Sequence, residues 1–321
     1  MFKKIVDNAF TAESLYGLRY EPTYSGALSF LRRKYSRDLA GVDVAVTGLP
    51  LDTATSNRPG ARLGPRAVRE ASAQLAWAPP YGLAVSPLER LAVIDYGDCL
   101  WDYGLPAEIP GAIEAHIAAI AGGGASPLSI GGDHFVTFPV LRALHKRHGT
   151  LSLIHFDAHS DTWTIDEEAG RVDHGTMFFH AVKEGLVDPA RSVQIGIRTH
   201  NPDTLGFNTV DAPWLHRNGA AAALDRIRQV VGDHKAYLTF DVDVLDPCFA
   251  PGTGTPVCGG LSTATALELL RGLAGIHLVG MDVVEVAPAY DVAGITALAG
   301  ATIAYEGLAL FAPRPDSAAS R

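Results

Sequence analysis

Three short stretches of this chain space carboxylates and imidazoles in a way that suits a metal. Phe156-Asp157-Ala158-His159-Ser160-Asp161 places Asp157, His159 and Asp161 at alternate positions. In extended backbone, side chains at i, i+2 and i+4 share a face, so the three would project together within about 14 Å of chain. Asp241 and Asp243 repeat the spacing, and Gly131-Gly132-Asp133-His134 adds another imidazole. Carboxylates crowded into a dry crevice repel one another and need a counter-charge, which divalent metal supplies. Two divalent ions would balance Asp157, Asp161, Asp241 and Asp243, with His134 and His159 as neutral ligands. Two ions about 3.5–4 Å apart can share a water and lower its pKa. An oxygen-rich set without thiolate suits Mn2+ better than Zn2+.

Other polar residues carry less information. His174, in Val172-Asp173-His174-Gly175-Thr176, is either a proton shuttle near neutral pH or a neighbour of a helix N-cap. Glu285 is either a salt-bridge residue or a substrate anchor. His155 reads as a core histidine, and His145, His148, His216 and His234 as surface residues. Asp133, Asp246 and Asp282 read as groups that cap turns or orient ligands. An isolated Asp-x-Asp is common on surfaces; three such clusters, each closing an apolar run, are not.

Those runs are the elements that must position the site. Strands are expected at Val44–Leu49, Leu91–Tyr96, Leu128–Gly131, Leu151–Phe156, Val193–Ile197, Tyr237–Phe240 and His277–Val283. Their near-continuous hydrophobicity is what a sheet buried on both faces requires. Helical patterns fall between them at Gly111–Ala121, Phe138–Arg147, Thr176–Glu184, Ala220–Val231, Thr263–Leu273 and Thr296–Leu310. The alternation predicts an α/β fold, a three-layer α/β/α sandwich with a mostly parallel sheet. Ligands of such sheets bind beyond the carboxyl ends of the strands, where the polar clusters sit. No linker divides residues 1–321, so one domain is expected, with 1–19 as an N-terminal arm and 313–321 as a flexible tail.

Of the 321 residues, 47% are apolar and 19% charged, which excludes intrinsic disorder. The 35 acidic against 26 basic residues give −9, with no electrostatic footprint for nucleic acid and repulsion from anionic membranes. No run approaches the ~20 apolar residues of a membrane span, and no secretory pattern follows Lys3 and Lys4. Cys99, Cys248 and Cys258 form no CxxC pair. A cytoplasmic protein is the expectation.

The motifs GGDHFVTFP, HFDAHSDT, DHGTMFF, TFDVDVLDPCFAPGTGTP and GMDVVEVAPAYD together resemble the ureohydrolases, the arginase and agmatinase family. Thr55–Pro65 is similar to that family's substrate-side loop, and the resemblance spans roughly residues 40–310. It implies an arginase-like fold and a hydrolase that cleaves a guanidinium to urea and an amine with two Mn2+ ions. By position, His134, Asp157, Asp161 and Asp241 would hold one ion, and Asp157, His159, Asp241 and Asp243 the other. His174 matches the family's proton-shuttle histidine and Glu285 its guanidinium-binding glutamate, both catalytic alongside Asp161. The partner implied is a small cationic guanidino substrate, and the assembly a homo-oligomer, trimer or hexamer.

Wording closest to agmatinases, and the acidic run Asp166-Glu167-Glu168, favour agmatine, cleaved to putrescine and urea. The alternative is a guanidinobutyrase or another guanidino-acid ureohydrolase, with Arg171 or Arg58 meeting the carboxylate. A deacetylase of related fold would not need His134, and a silent homologue would have lost ligands. None is lost here.

Overall fold

The apolar runs pair side by side, all pointing the same way. The computed structural model describes residues 6–83, 85–164 and 171–312. Its strands are β1 (Lys34–Tyr35), β2 (Val44–Leu49), β3 (Val93–Asp98), β4 (Ser126–Gly131), β5 (Ser152–Phe156), β6 (Val193–Ile195), β7 (Asn208–Val210), β8 (Ala236–Asp241) and β9 (Leu278–Val284). They form one sheet in the order β1-β3-β2-β4-β9-β8-β5-β6-β7, and every pairing is parallel. All seven expected strands are present. The two unanticipated ones, β1 and β7, lie at the sheet edges and are too short and too polar to make an apolar run.

Alternate residues of the strands feed two separate cores. Val44 and Val46 of β2 join Leu238, Phe240 and Met281 against the helices Gly64–Ser72, Ala212–Val231, Thr263–Gly272 and Ile295–Gly307. Ala45 and Leu49 join Leu153, Tyr237 and Val284 against Ile109–Gly122, Thr137–His148 and Met177–Lys183. Helices therefore cover both faces, which is the expected three-layer sandwich.

Two of the longer helices depart from the sequence reading. Ala212–Val231 begins eight residues before the expected Ala220, because Asp211 caps it through Trp214 N at 2.7 Å. Gly219 (φ 80) breaks it, and the apolar pattern is clear only beyond that point. Helix Gly64–Ser72 was not expected, since its first residues read as loop. Residues 8–19 lie on the body, with Gly17 N donating to Leu88 O (2.6 Å) and Arg19 N to Ala76 O (2.9 Å). The tail 313–321 lies outside the described residues. No helix among the described residues is long and apolar enough to cross a membrane.

The strands that end in carboxylate or imidazole, β4, β9, β8 and β5, are consecutive neighbours in the sheet. Their polar ends therefore converge on one crevice. Phe156 and Phe240, register partners one residue before Asp157 and Asp241, stack at 5.1 Å in the core beneath.

Candidate metal centre

β4 runs into a turn that admits no side chain. A Cβ on Gly132 would lie 1.6 Å from Leu51 O, so only glycine fits. Asp133 then caps the turn through Phe135 N (3.2 Å) and accepts Ala54 N (2.9 Å). Burial, and then the charge of Glu285, raise its carboxyl to about 7. The turn delivers His134, fully buried, into the crevice. His134 Nε2 lies 2.8 Å from Thr239 Oγ1, whose own hydrogen goes to Asp282 Oδ1 at 2.6 Å. Thr239 must therefore accept from His134, which puts a hydrogen on Nε2 and turns Nδ1 toward the crevice. Asp282 also accepts from Tyr237 and Thr137, each at 2.7 Å, so it orients a candidate ligand as anticipated.

The next two clusters converge by a different geometry from the one expected. β5 ends at Phe156, and Asp157, His159 and Asp161 follow on irregular backbone, with Asp161 left-handed at φ 52. Asp241 is the last residue of β8, while Asp243 lies in the 3-10 turn Val242–Val244 and is held by its N–H on Asp241 Oδ1 (2.8 Å). Extended alternation does not bring these residues together. Their own side chains, accepting backbone N–H groups two residues on, fold the chain so that they meet.

His134 Nδ1 lies 3.0 Å from Asp157 Oδ2, 3.0 Å from Asp161 Oδ2 and 3.3 Å from Asp241 Oδ2. Beside this group, His159 Nδ1 is 3.0 Å from Asp243 Oδ2 and 3.3 Å from Asp157 Oδ1. Asp157 thus offers one oxygen to each half. His134 Nδ1 is buried without a hydrogen-bond partner, facing carboxylate oxygens that only accept. Burial lowers the His134 imidazole, but Asp157, Asp161 and Asp241 raise it well above its ordinary value, so this nitrogen among carboxylates draws a cation and the donor set fits divalent metal. Without metal the cluster gathers protons. Burial lowers the His159 imidazole, but Asp243 and Asp157 overcome this and push it up to about 12. Burial, with Asp243 and Asp157 next to it, raises the Asp241 carboxyl well above the usual range.

Glu285 follows β9 with a left-handed backbone (φ 65), fixed by Glu285 N on Gly132 O at 2.8 Å. Its Oε1 accepts His134 N (2.9 Å) and faces His174 Nδ1 (3.2 Å), while Oε2 is buried without a partner. A Cβ on Gly254 would stand 3.1 Å from Oε2, so glycine keeps that oxygen clear. His174 is not a helix cap: the helix starts at Met177 with Thr176 as its N-cap. Its Nε2 lies 2.8 Å from Ser56 Oγ, so both ring nitrogens are engaged at the site. Burial lowers His174, but the hydrogen bond and charge of Glu285 raise it to about 9. A cavity of ≈ 280 Å³ opens above, lined among others by Ser56, His159, Asp161, Trp163, His174, Asp241 and Thr255.

All eight candidate residues therefore meet. Sequence reading missed Ser56, Thr239, Gln194 and Thr255, and it placed His155 in the core without a role. His155 Nε2 lies 2.7 Å from Asp157 Oδ2, and Thr255 Oγ1 donates to Asp243 Oδ2 at 3.2 Å. The usable signal was a polar residue inside a strand buried on both faces, as for Gln194 and Thr239. His216 and His234 are exposed, and His145 and His148 half-buried. Asp246 takes Cys248, Gly259 and Gly260 N–H groups and holds a surface loop. Asp166, Glu167 and Glu168 lie outside the described residues.

This sheet, with its carboxylate and imidazole clusters in this order, defines a class. The model of the arginase family matches residues 42–309, and the chain belongs to that family, whose members are binuclear metal enzymes. Within it, the chain is 54% identical over 305 residues to the agmatinase of Chromobacterium violaceum, covering 95% of this chain and 94% of the relative. It is 51% identical over 277 residues to the agmatinase of Neisseria meningitidis, covering 85% and 89%. A solved structure titled a hypothetical agmatinase from Burkholderia thailandensis matches with TM-score 0.93 and 56% identity, covering 95% of this chain and 97% of that one. Proclavaminate amidino hydrolase from Streptomyces clavuligerus matches at 0.85 and 38%, covering 91% and 99%.

Proposed function

We infer that this chain is a ureohydrolase that cleaves agmatine to urea and putrescine, with two Mn2+ ions at the cluster. The observation that carries the reading is the buried His134 Nδ1 among three carboxylates, beside a glutamate with one unpartnered oxygen. Identity of 54% and 51% to relatives named agmatinase supports the choice of substrate. His134, Asp157, Asp161 and Asp241 would hold one ion, and Asp157, His159, Asp241 and Asp243 the other. The oxygen-rich set supports Mn2+ over Zn2+. Bound there, the ions supply Lewis acidity and a potent nucleophile from water at neutral pH.

The chain's own residues do the rest. Glu285 Oε1 already takes two donors, so Oε2 is the acceptor left for a guanidinium N–H. In this dry setting a charge-assisted hydrogen bond is strong, and it orients the planar carbon for attack. Water adds to that carbon, the C–N bond to the alkyl amine breaks, and the departing nitrogen needs a proton. His174, raised to about 9 and lining the cavity, holds one at neutral pH and supplies it.

A guanidino acid would need a cation for its carboxylate. Arg171 lines the cavity, but its Nη2 pairs with Asp173 at 2.8 Å. The Arg58 guanidinium lies over the Tyr290 ring at 5.1 Å. Both observations favour agmatine over 4-guanidinobutyrate. We further infer one domain across the chain and a cytoplasmic homo-oligomer, trimer or hexamer.

Urea release from agmatine, arginine and 4-guanidinobutyrate with Mn2+ tests the reading. Agmatine should lead by at least about tenfold in kcat/KM. Equal turnover of 4-guanidinobutyrate would overturn the substrate assignment.

A further inference from the structure

His155 and Gln194 are register partners on the neighbouring parallel strands β5 and β6. Both are buried polar residues in a sheet built of apolar strands, and the reaction above gives neither a role. Gln194 Nε2 donates to the Ser160 carbonyl at 2.7 Å. A carbonyl oxygen only accepts, so the amide cannot be turned the other way. The same nitrogen lies 3.2 Å from His155 Nδ1, which must therefore be a bare acceptor. The His155 hydrogen is then on Nε2, aimed at Asp157 Oδ2. His134 carries a hydrogen on the same atom but is turned the opposite way, with its Nδ1 toward the carboxylates. The two rings lie 5.2 Å apart with Phe178 against both. Both face Asp157 Oδ2, one through Nδ1 and the other through Nε2.

We propose that Gln194 and His155 are positioning residues that lock Asp157 across the two halves of the metal centre. The Ser160 carbonyl fixes Gln194, Gln194 fixes the His155 tautomer, and His155 Nε2–H holds Asp157 Oδ2. The other oxygen, Oδ1, is held in the same manner by His159 N–H at 2.6 Å. Each carboxylate oxygen thus has one N–H anchor and keeps lone-pair capacity for a cation. His155 is close enough to the cluster to serve as a ligand. Its own proton keeps it out.

The inference rests on the reading that the cluster binds divalent cations, and two measurements separate the two ideas. Selective 15N-histidine NMR of the wild-type protein, metal-free and after adding diamagnetic Zn2+, reads the tautomer directly. It should show His155 protonated at Nε2 and bare at Nδ1; a proton on Nδ1 overturns the relay, whether or not metal binds. Calorimetric titration with Mn2+ reads the consequence. His155→Phe should weaken affinity about 10–100-fold and Gln194→Leu about tenfold, the range for partners of metal ligands. His155→Gln, whose amide N–H can replace Nε2–H, should recover to within about threefold of wild type. Undiminished affinity in His155→Phe overturns the proposal, as does loss of one bound ion in both His155 variants, which would make His155 a ligand. Failure of the wild type to bind Mn2+ overturns the proposed function instead, and the tautomer then decides the relay.

Discussion

Carboxylates gather on two parts of this sheet, with Asp95 buried in one and four buried in the other, and the chain treats them in opposite ways. On β3, Asp95 and Asp98 meet Arg69. Its Nε and Nη2 take Asp95 at 2.8 and 3.0 Å, and its Nη1 takes Asp98 at 2.6 Å. Asp95 also accepts Phe30 N (2.7 Å) and Gly97 N (2.9 Å), so every oxygen is satisfied. At the ends of β5 and β8, Asp157, Asp161, Asp241 and Asp243 are buried too, yet no Lys or Arg among the described residues pairs with them. An arginine is at hand. Arg198 donates to the carbonyls of Gly196, Asp243, Val244, Leu245 and Val257, and so holds the loop rather than neutralising its acids. The chain completes one charge cluster internally and leaves the other for cations from outside. The first is architecture; the second is a binding site.

The sharpest way to break this contrast is to remove one acid from each cluster. Asp241→Asn should lower urea release by about 10³-fold or more, as expected where transition-state electrostatics are lost. The metal-free fold should be no less stable, and more stable near neutral pH, because burial and Asp243 hold that carboxyl well above its ordinary range. Asp95→Asn should instead cost about 3–5 kcal/mol in denaturant unfolding by stranding Arg69, with kcat of the folded fraction kept. Matching stability changes in the two variants would show that the clusters do not differ.

Protons sharpen the contrast next. Metal must displace the proton that Asp243 and Asp157 keep on His159, whose value near 12 lies above any working pH. Mn2+ binding should therefore release protons, and affinity should rise about tenfold per pH unit for each one released. Calorimetry in buffers of different ionisation enthalpy measures this, and binding that ignores the buffer would contradict it. The smallest effect concerns orientation alone. Thr239→Val removes the acceptor of His134 Nε2–H and should weaken Mn2+ binding about tenfold, leaving the Arg69 cluster untouched.

The ligands were legible in the sequence because each follows directly on an apolar run, where a carboxylate has no structural reason to be. The neighbourhood of β4, β9, β8 and β5 was not legible, since sheet order depends on long-range pairing. Asp161 shows the limit at one residue: alternation pointed to the right side chains, but a left-handed φ of 52 brings them together. Arg69 and Asp95, 26 residues apart on a helix and a strand, carry no local pattern and went unnoticed. The tautomers of His134 and His155 depend on a threonine and a glutamine from other strands, which no motif records.

The central claim is that the unmatched acids are completed by two divalent cations that make guanidinium hydrolysis possible. Titrating the metal-free protein with Mn2+ while recording urea release from agmatine tests it most directly. Activity should be absent without metal and reach its plateau at two equivalents per chain. Full activity without metal, or a plateau at one equivalent, would contradict the account.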